Sequence, residues 1–260
     1  MEYFVDKQSV VREIWGKGDV ILFIFAGASA EFALNKAVDW LYFTGRLPAD
    51  PLGRLFSTVS YARAIVFSEQ QAAFQAIDTI AAIHSNVEAE RGAHIPDWAY
   101  RDVLFLLIDY SIRAFELLER KLSISEKQEV FDVFHRVGSR MGVQGLPDSF
   151  EAWEKMRNDH LSANLQRSHY TDDLFRQYRK HLGGMRYRFL LWSQVLIVPS
   201  RVRQLLGFRC IPVLNHLIGL YKLSRRFKIG WTFLIMMMPS QYKKRVRALD
   251  TPPVHRCAKR

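Results

Sequence analysis

Val103-Leu104-Phe105-Leu106-Leu107-Ile108, with Ile112 one turn on, lies inside a segment from about Trp98 to Lys121. Such a run is apolar over much of a helix's circumference, which is the pattern of a helix packed on all sides. The neighbouring segments read as helices wrapped around it. Residues 6–15 form a short N-terminal helix ending before Gly16-Lys17-Gly18, and Asp19 caps a very apolar helix over Val20–Trp40. Gly45, Pro48 and Pro51 mark a loop, and Pro51 opens the next helix. Glu69–Glu88 follows, then a loop at 89–97 containing Gly92 and Pro96. Ser125 with Gln128 has capping-box spacing and starts a helix that ends near Arg140. Ser149–Leu161 and Thr171–Val198 are further amphipathic helices, the second halted by Pro199. No alternating strand pattern is sustained and no repeat is present. The expected fold is all-α: one multi-helix globular domain over residues 1–207, followed by a basic, partly apolar helical extension over 208–260.

Charge divides the chain at a similar place. The net charge is +11, yet residues 181–260 hold 16 Lys/Arg against the single acid Asp250, a net of +15. The first 180 residues are therefore mildly acidic. A basic block of this kind points to an anionic partner such as membrane lipid, nucleic acid or cofactor carboxylates. Within it, the apolar pieces Ile211–Leu220 and Ile229–Met238 are shorter than the roughly 18–20 residues that span a bilayer. Flanked by Lys and Arg, they suit an interfacial anchor as well as an ordinary helix pair. The two cysteines, Cys210 and Cys257, form no CxxC or zinc spacing, and Met1-Glu2-Tyr3-Phe4 starts no signal peptide. These features lead to an expectation of a cytoplasmic protein, peripheral to a membrane if attached to one.

The segment Asp50-Pro51-Leu52-Gly53-Arg54-Leu55-Phe56-Ser57-Thr58 carries the first chemical signal. In a helix beginning at Pro51, Arg54 and Thr58 are four residues apart and share a face. The second signal is His84, which continues the helical spacing of Ile77, Ile80 and Ala81 and so puts an imidazole on an apolar stripe. A lone histidine there is most often a core residue, and an RxxxT pair is most often a surface arginine and a helix hydroxyl. Taken together, an imidazole facing an arginine and a hydroxyl suits a metal ligand beneath a polar, oxygen-binding pocket. His94, His135, His160, His169 and His181 lie in polar or charged settings, His216 in the late apolar piece and His255 in the tail. No HExxH, GxSxG, Walker loop or GxGxxG occurs, so hydrolase and nucleotide-binding readings lack support.

In order along the chain, Ile14-Trp15-Gly16 with Asp19, Ala26-Gly27-Ala28-Ser29, Asp50-Pro51-x-x-Arg54-Leu55-x-x-Thr58 and His84-x-x-Val87 resemble the MpaB-type and latex-clearing (rubber oxygenase) family. Leu122-Ser123, Leu146-Pro147 and Val198-Pro199-x-x-Val202-Arg203-x-Leu205-Leu206-Gly207 continue the resemblance, which covers about residues 10–207. The resemblance implies an all-α, haem-linked protein. It makes His84 the proximal ligand of the iron of a b-type haem, and places Arg54 and Thr58 in the pocket that tunes bound oxygen, Arg54 also being suited to a haem propionate.

Several positions depart from the family pattern. Asn35-Lys36 stands where many members have His-Pro, Asp109 where many have histidine, Ala89 where glycine is common, and Ser57 where a lysine precedes the threonine in rubber-cleaving enzymes. Glu31 and Asp39 are the nearest candidates for that branch's distal acid. These departures argue against polyisoprene as the substrate. The leading expectation is a haem-dependent oxygenase-like oxidoreductase using O2 on a small or lipophilic, alkene- or prenyl-like substrate. Its rival is a non-catalytic lipid- or isoprenoid-binding protein docking to anionic membrane through its basic third. Nucleic-acid binding ranks last, because no recognisable binding motif accompanies the charge.

Overall fold

The structure is a computed structural model that describes residues 2–209, 212–225, 235 and 238–250. It is all-α, as the sequence indicates, with helices α1 (Val10–Trp15), α2 (Gly18–Phe32), α3 (Asp39–Phe43), α4 (Arg46–Ala49), α5 (Pro51–Phe67), α6 (Gln70–Arg91) and α7 (Asp97–Leu118) in the first half. The second half contains α8 (Ile124–Arg140), α9 (Phe150–Ala163), α10 (His169–Ile197), α11 (Ser200–Leu206), α12 (Val213–Arg225) and α13 (Ser240–Arg247), with a 3-10 turn at Ala248–Asp250. The described residues contain no strand, only isolated bridges at Tyr3–Glu69 and Asn35–Leu165.

The centre is the pair α2 and α7. Gly27 allows their close approach, since a Cβ there would lie 2.2 Å from the Tyr110 ring. Val20, Ile21, Ile24, Phe105, Ile108 and Phe115 fill the surrounding core. At roughly 1.5–3 kcal/mol for each fully buried large apolar side chain, these positions dominate the stability of the pair.

Several expected elements differ in detail: Asp19, expected as a cap, lies inside α2, whose N-cap is Lys17, and the expected loop before Pro51 contains α4. The apolar helix beginning near Asp19 ends at Phe32 instead of continuing to Trp40. There Asn35 Oδ1 accepts from the Ala37 amide at 2.8 Å, while Lys36 N–H and Leu34 C=O bond residues 164 and 166, so the backbone turns out of the helix with its groups satisfied. The capping box of α8 is Ser123 with Glu126, not Ser125 with Gln128. Both pairs have the right spacing, but the Glu126 carboxylate accepts the Ser123 amide at 2.8 Å and is also gripped by Arg120 at 2.6 Å. Finally, α10 is broken at Gly183, whose φ of 73° and ψ of 169° belong to a region essentially reserved for glycine.

The described part of the basic segment packs against the same core. On α12, Leu214 is buried, Tyr221 donates to Asp19 Oδ2 at 2.9 Å, and Arg225 pairs with Asp19 and Glu119. On α13, Tyr242 stacks on Phe56 with ring centroids 5.2 Å apart and donates to Asp50 Oδ1. Beyond it, Arg63 donates to the carbonyls of both Trp15 and Leu249 at 2.6 Å, tying the last described turn to the first helix. Most of the expected apolar piece Ile229–Met238, together with Cys210, Cys257 and His255, lies outside the described residues. No helix among the described residues is long and apolar enough to cross a membrane.

Candidate functional site

Asp50 starts the helix that carries the first site residues. Its carboxylate accepts the Gly53 amide at 2.8 Å and Pro51 occupies the first helical turn, a sound N-terminus for α5. One turn later Arg54 and Thr58 emerge on a common face, with the Thr58 hydroxyl donating to the Arg54 carbonyl at 3.3 Å. On α6, the stripe of Ile77, Ile80 and His84 is fully buried only at Ile77, and His84 is half-buried.

Arg54, Thr58 and His84 line one cavity of about 240 Å³, closed by apolar side chains such as Ile80, Ile83, Val103 and Leu107, with Asn35 at another wall. The obvious hydrogen-bond partner for His84 is Glu88, one turn along α6. That carboxylate is occupied elsewhere, accepting the Ile95 amide at 2.8 Å and the Tyr100 hydroxyl at 3.1 Å. His84 Nδ1 is consequently buried with no hydrogen-bond partner, and the ring meets Tyr100 edge-on at 5.3 Å. Burial, reinforced by the nearby Arg54 charge and only weakly opposed by Glu88, lowers the imidazole pKa below its ordinary value. The ring is therefore neutral near pH 7, the form that donates a lone pair to a metal.

This donor set fits a haem. Among the described residues no three His, Cys, Asp or Glu side chains gather into a metal cage. A porphyrin supplies four nitrogens itself and asks the protein for an axial nitrogen, apolar walls and a few polar groups. His84, the cavity lining, Arg54 and Thr58 are groups of those kinds.

The two acidic candidates sit elsewhere. Asp39 pairs with Arg91 at 2.7 Å, and Glu31 is fully buried in a charge cluster. There Arg157 forks onto both oxygens of Glu31 and reaches Asp109 Oδ2 at 2.8 Å, while Tyr110 donates to Glu31 at 2.9 Å. Burial alone would raise the Glu31 pKa, but Arg157 holds it well below the ordinary carboxylate range. His160 Nδ1 lies 2.5 Å from Asp102 Oδ1 and its Nε2 3.4 Å from Glu31. Burial opposes a charge on this ring as well, yet the two carboxylates outweigh it and raise the pKa. Asn35 joins cluster and cavity, because its amide donates to Asp102 Oδ2 at 3.3 Å while the same residue lines the cavity.

Sequence reading named Glu31 and Asp109 without their partners and placed His160 among ordinary charged residues. The available signal was local: acids inside otherwise apolar helices, and an Arg157–His160 pair one turn apart on α9. Pairing across 126 positions of sequence is not visible without the fold.

Comparison with known proteins agrees with the architecture. A search of curated proteins finds no match, and neither does a search of solved structures. The family model described as "ER-bound oxygenase mpaB/B'/Rubber oxygenase, catalytic domain" matches residues 14–224, which include both central helices, the cavity and all of α12 but its last residue. The match spans well over half of the chain, which thus belongs to the MpaB/rubber oxygenase catalytic-domain family.

Proposed function

We propose that this oxygenase-family domain works with haem, held through His84, and uses O2 on a small or lipophilic, alkene- or prenyl-like substrate. One observation carries this reading: a neutral, half-buried imidazole with an unpartnered nitrogen shares a cavity with Arg54 and Thr58. When bound, haem supplies the iron at which dioxygen is activated. His84 contributes its lone pair, for which no acidic partner competes. Arg54 provides a fixed positive charge and N–H donors for a polarised oxygen or a propionate. The Thr58 hydroxyl, now donating to its own helix, can turn to hold a proton at the pocket. The apolar wall excludes bulk water and accommodates a hydrocarbon chain.

The first experiment is an absorption spectrum with iron quantified on the same sample. A Soret band that responds to dithionite and carbon monoxide, and that disappears together with the iron in His84→Ala, is the expected result. Full haem occupancy in that variant overturns the ligand assignment.

A second reading, lipid binding at an anionic membrane surface from the cytoplasmic side, rests on α12. Val213, Leu217, Leu220 and Leu223 share one exposed face, Leu220 being 63% accessible, beside the exposed Lys222 and within the +15 segment. Such a face suits partial insertion among anionic headgroups. Flotation of the full chain with phosphatidylserine vesicles tests it: replacing Val213, Leu220 and Leu223 by Ser should abolish co-flotation. Unchanged flotation removes α12 as the docking element.

A further inference from the structure

On the other side of α5 lies a second cavity, of about 230 Å³, that contains neither His84, Arg54 nor Thr58. Its walls come from α2, α5, α10 and α12, with Leu22, Phe56, Leu190, Trp192 and Ile218 among them, and they are almost wholly apolar. Four of the polar side chains in the lining are occupied by the protein itself. Tyr221 donates to Asp19, Tyr242 to Asp50, Ser193 to the Phe189 carbonyl and Ser29 to the Ala26 carbonyl, Ser29 also accepting from Gln194. Arg186 is the one charged side chain in this lining. Its half-buried side chain makes no hydrogen bond or ion pair among the described residues.

The break in α10 creates this arrangement. Tyr178 and Leu182 precede Gly183, whereas Arg186, Phe189 and Leu190 follow it. The glycine-only backbone at Gly183 redirects the helix so that both halves line one chamber, and it sets the guanidinium at the edge of an apolar wall. A partly desolvated arginine beside a hydrocarbon-lined space recognises an anionic group attached to an apolar chain.

We infer that this second cavity is a binding site for a single-chain amphiphile with an anionic head, the chain lying among the α2, α5 and α10 side chains and the carboxylate or phosphate meeting Arg186. The site is separate from the haem proposal and does not depend on it. Leu217 of the exposed α12 face also lines the cavity, so the chamber borders a surface from which an amphiphile can enter.

The test compares 12-carbon ligands that differ only at the head, titrated calorimetrically into the full chain. Dodecanoate and dodecyl phosphate should bind saturably at one site, 1-dodecanol at least tenfold more weakly, and dodecyltrimethylammonium not at all. The ratio between the two anions assigns the head as carboxylate or phosphate. Arg186→Gln should bring the anions down to the affinity of the alcohol, and Arg186→Lys should restore part of the difference. Leu190→Trp, which fills the chamber, should weaken all ligands alike, whereas His84→Ala should change none of them. Equal affinity for acid and alcohol, or full anion affinity in Arg186→Gln, overturns the inference. So does anion binding that is lost in His84→Ala, because it assigns the ligand to the other cavity. That outcome leaves the haem proposal untouched.

Discussion

His84 is half-buried and His160 almost wholly buried, and their surroundings drive them in opposite directions. Around His160, Asp102 and Glu31 stand close enough to hold a proton on the ring, and Arg157 balances the remaining negative charge. Around His84, the nearest carboxylate is spent on a loop amide and a tyrosine, and the facing charge is an arginine. Burial by itself favours the neutral ring at both positions. What separates them is whether a carboxylate is free to pair with the ring. Here the cluster consumes acids to fix three helices, while the cavity withholds them from its imidazole.

Arg157→Met should break the comparison most violently. It leaves Glu31 buried without its arginine and Asp109 with Arg113 alone, a loss of about 3–5 kcal/mol readable in urea denaturation. A loss within experimental error would mean that the cluster is not the strut described here. Asp102→Asn is milder, about 1–3 kcal/mol, because it removes a charged partner without emptying the site. It should also bring the His160 pKa down, which ring NMR resolves.

Acidity sharpens the contrast without mutation. The folded protein holds the His160 proton more tightly than the unfolded chain does, so that contribution is complete below the ordinary 6.5 and fades as pH rises through the raised folded value. His84 behaves inversely: its contribution is complete above 6.5 and is lost as pH falls through the lowered folded value. Histidine resonances should therefore titrate on opposite sides of 6.5, and two rings titrating together would refute the contrast. The smallest expected effect is on stability in His84→Leu, within about 0.5 kcal/mol in the absence of added haem. A loss of several kcal/mol would make His84 a core residue after all.

Much of the fold was legible because its signals are local. The apolar circumference of α7 and the Asp50-Pro51 start of α5 announce themselves within a few residues, whereas α6 runs to Arg91, three residues past the expected end at Glu88. The exit of the chain at Asn35 was hidden, since it depends on backbone partners near residue 165. The break at Gly183 was likewise obscured, because a glycine inside an amphipathic pattern reads as tolerated until its φ is seen. Spacing and resemblance pointed to Arg54, Thr58 and His84, and the fold lines one cavity with all three. The partners of Glu31 and the second cavity were invisible, because both are assembled from helices far apart in sequence.

The two hydrogen bonds from Arg63 to Trp15 and Leu249 have a consequence for how the chain assembles. Its guanidinium reaches back 48 residues to Trp15 and forward 186 residues to Leu249. During synthesis the first acceptor precedes Arg63, but the second emerges only 186 residues after it. Closing so long a loop is entropically slow and gains its contacts only at the end. The corner between α1 and α5 therefore gains its contact with the last described turn late in folding.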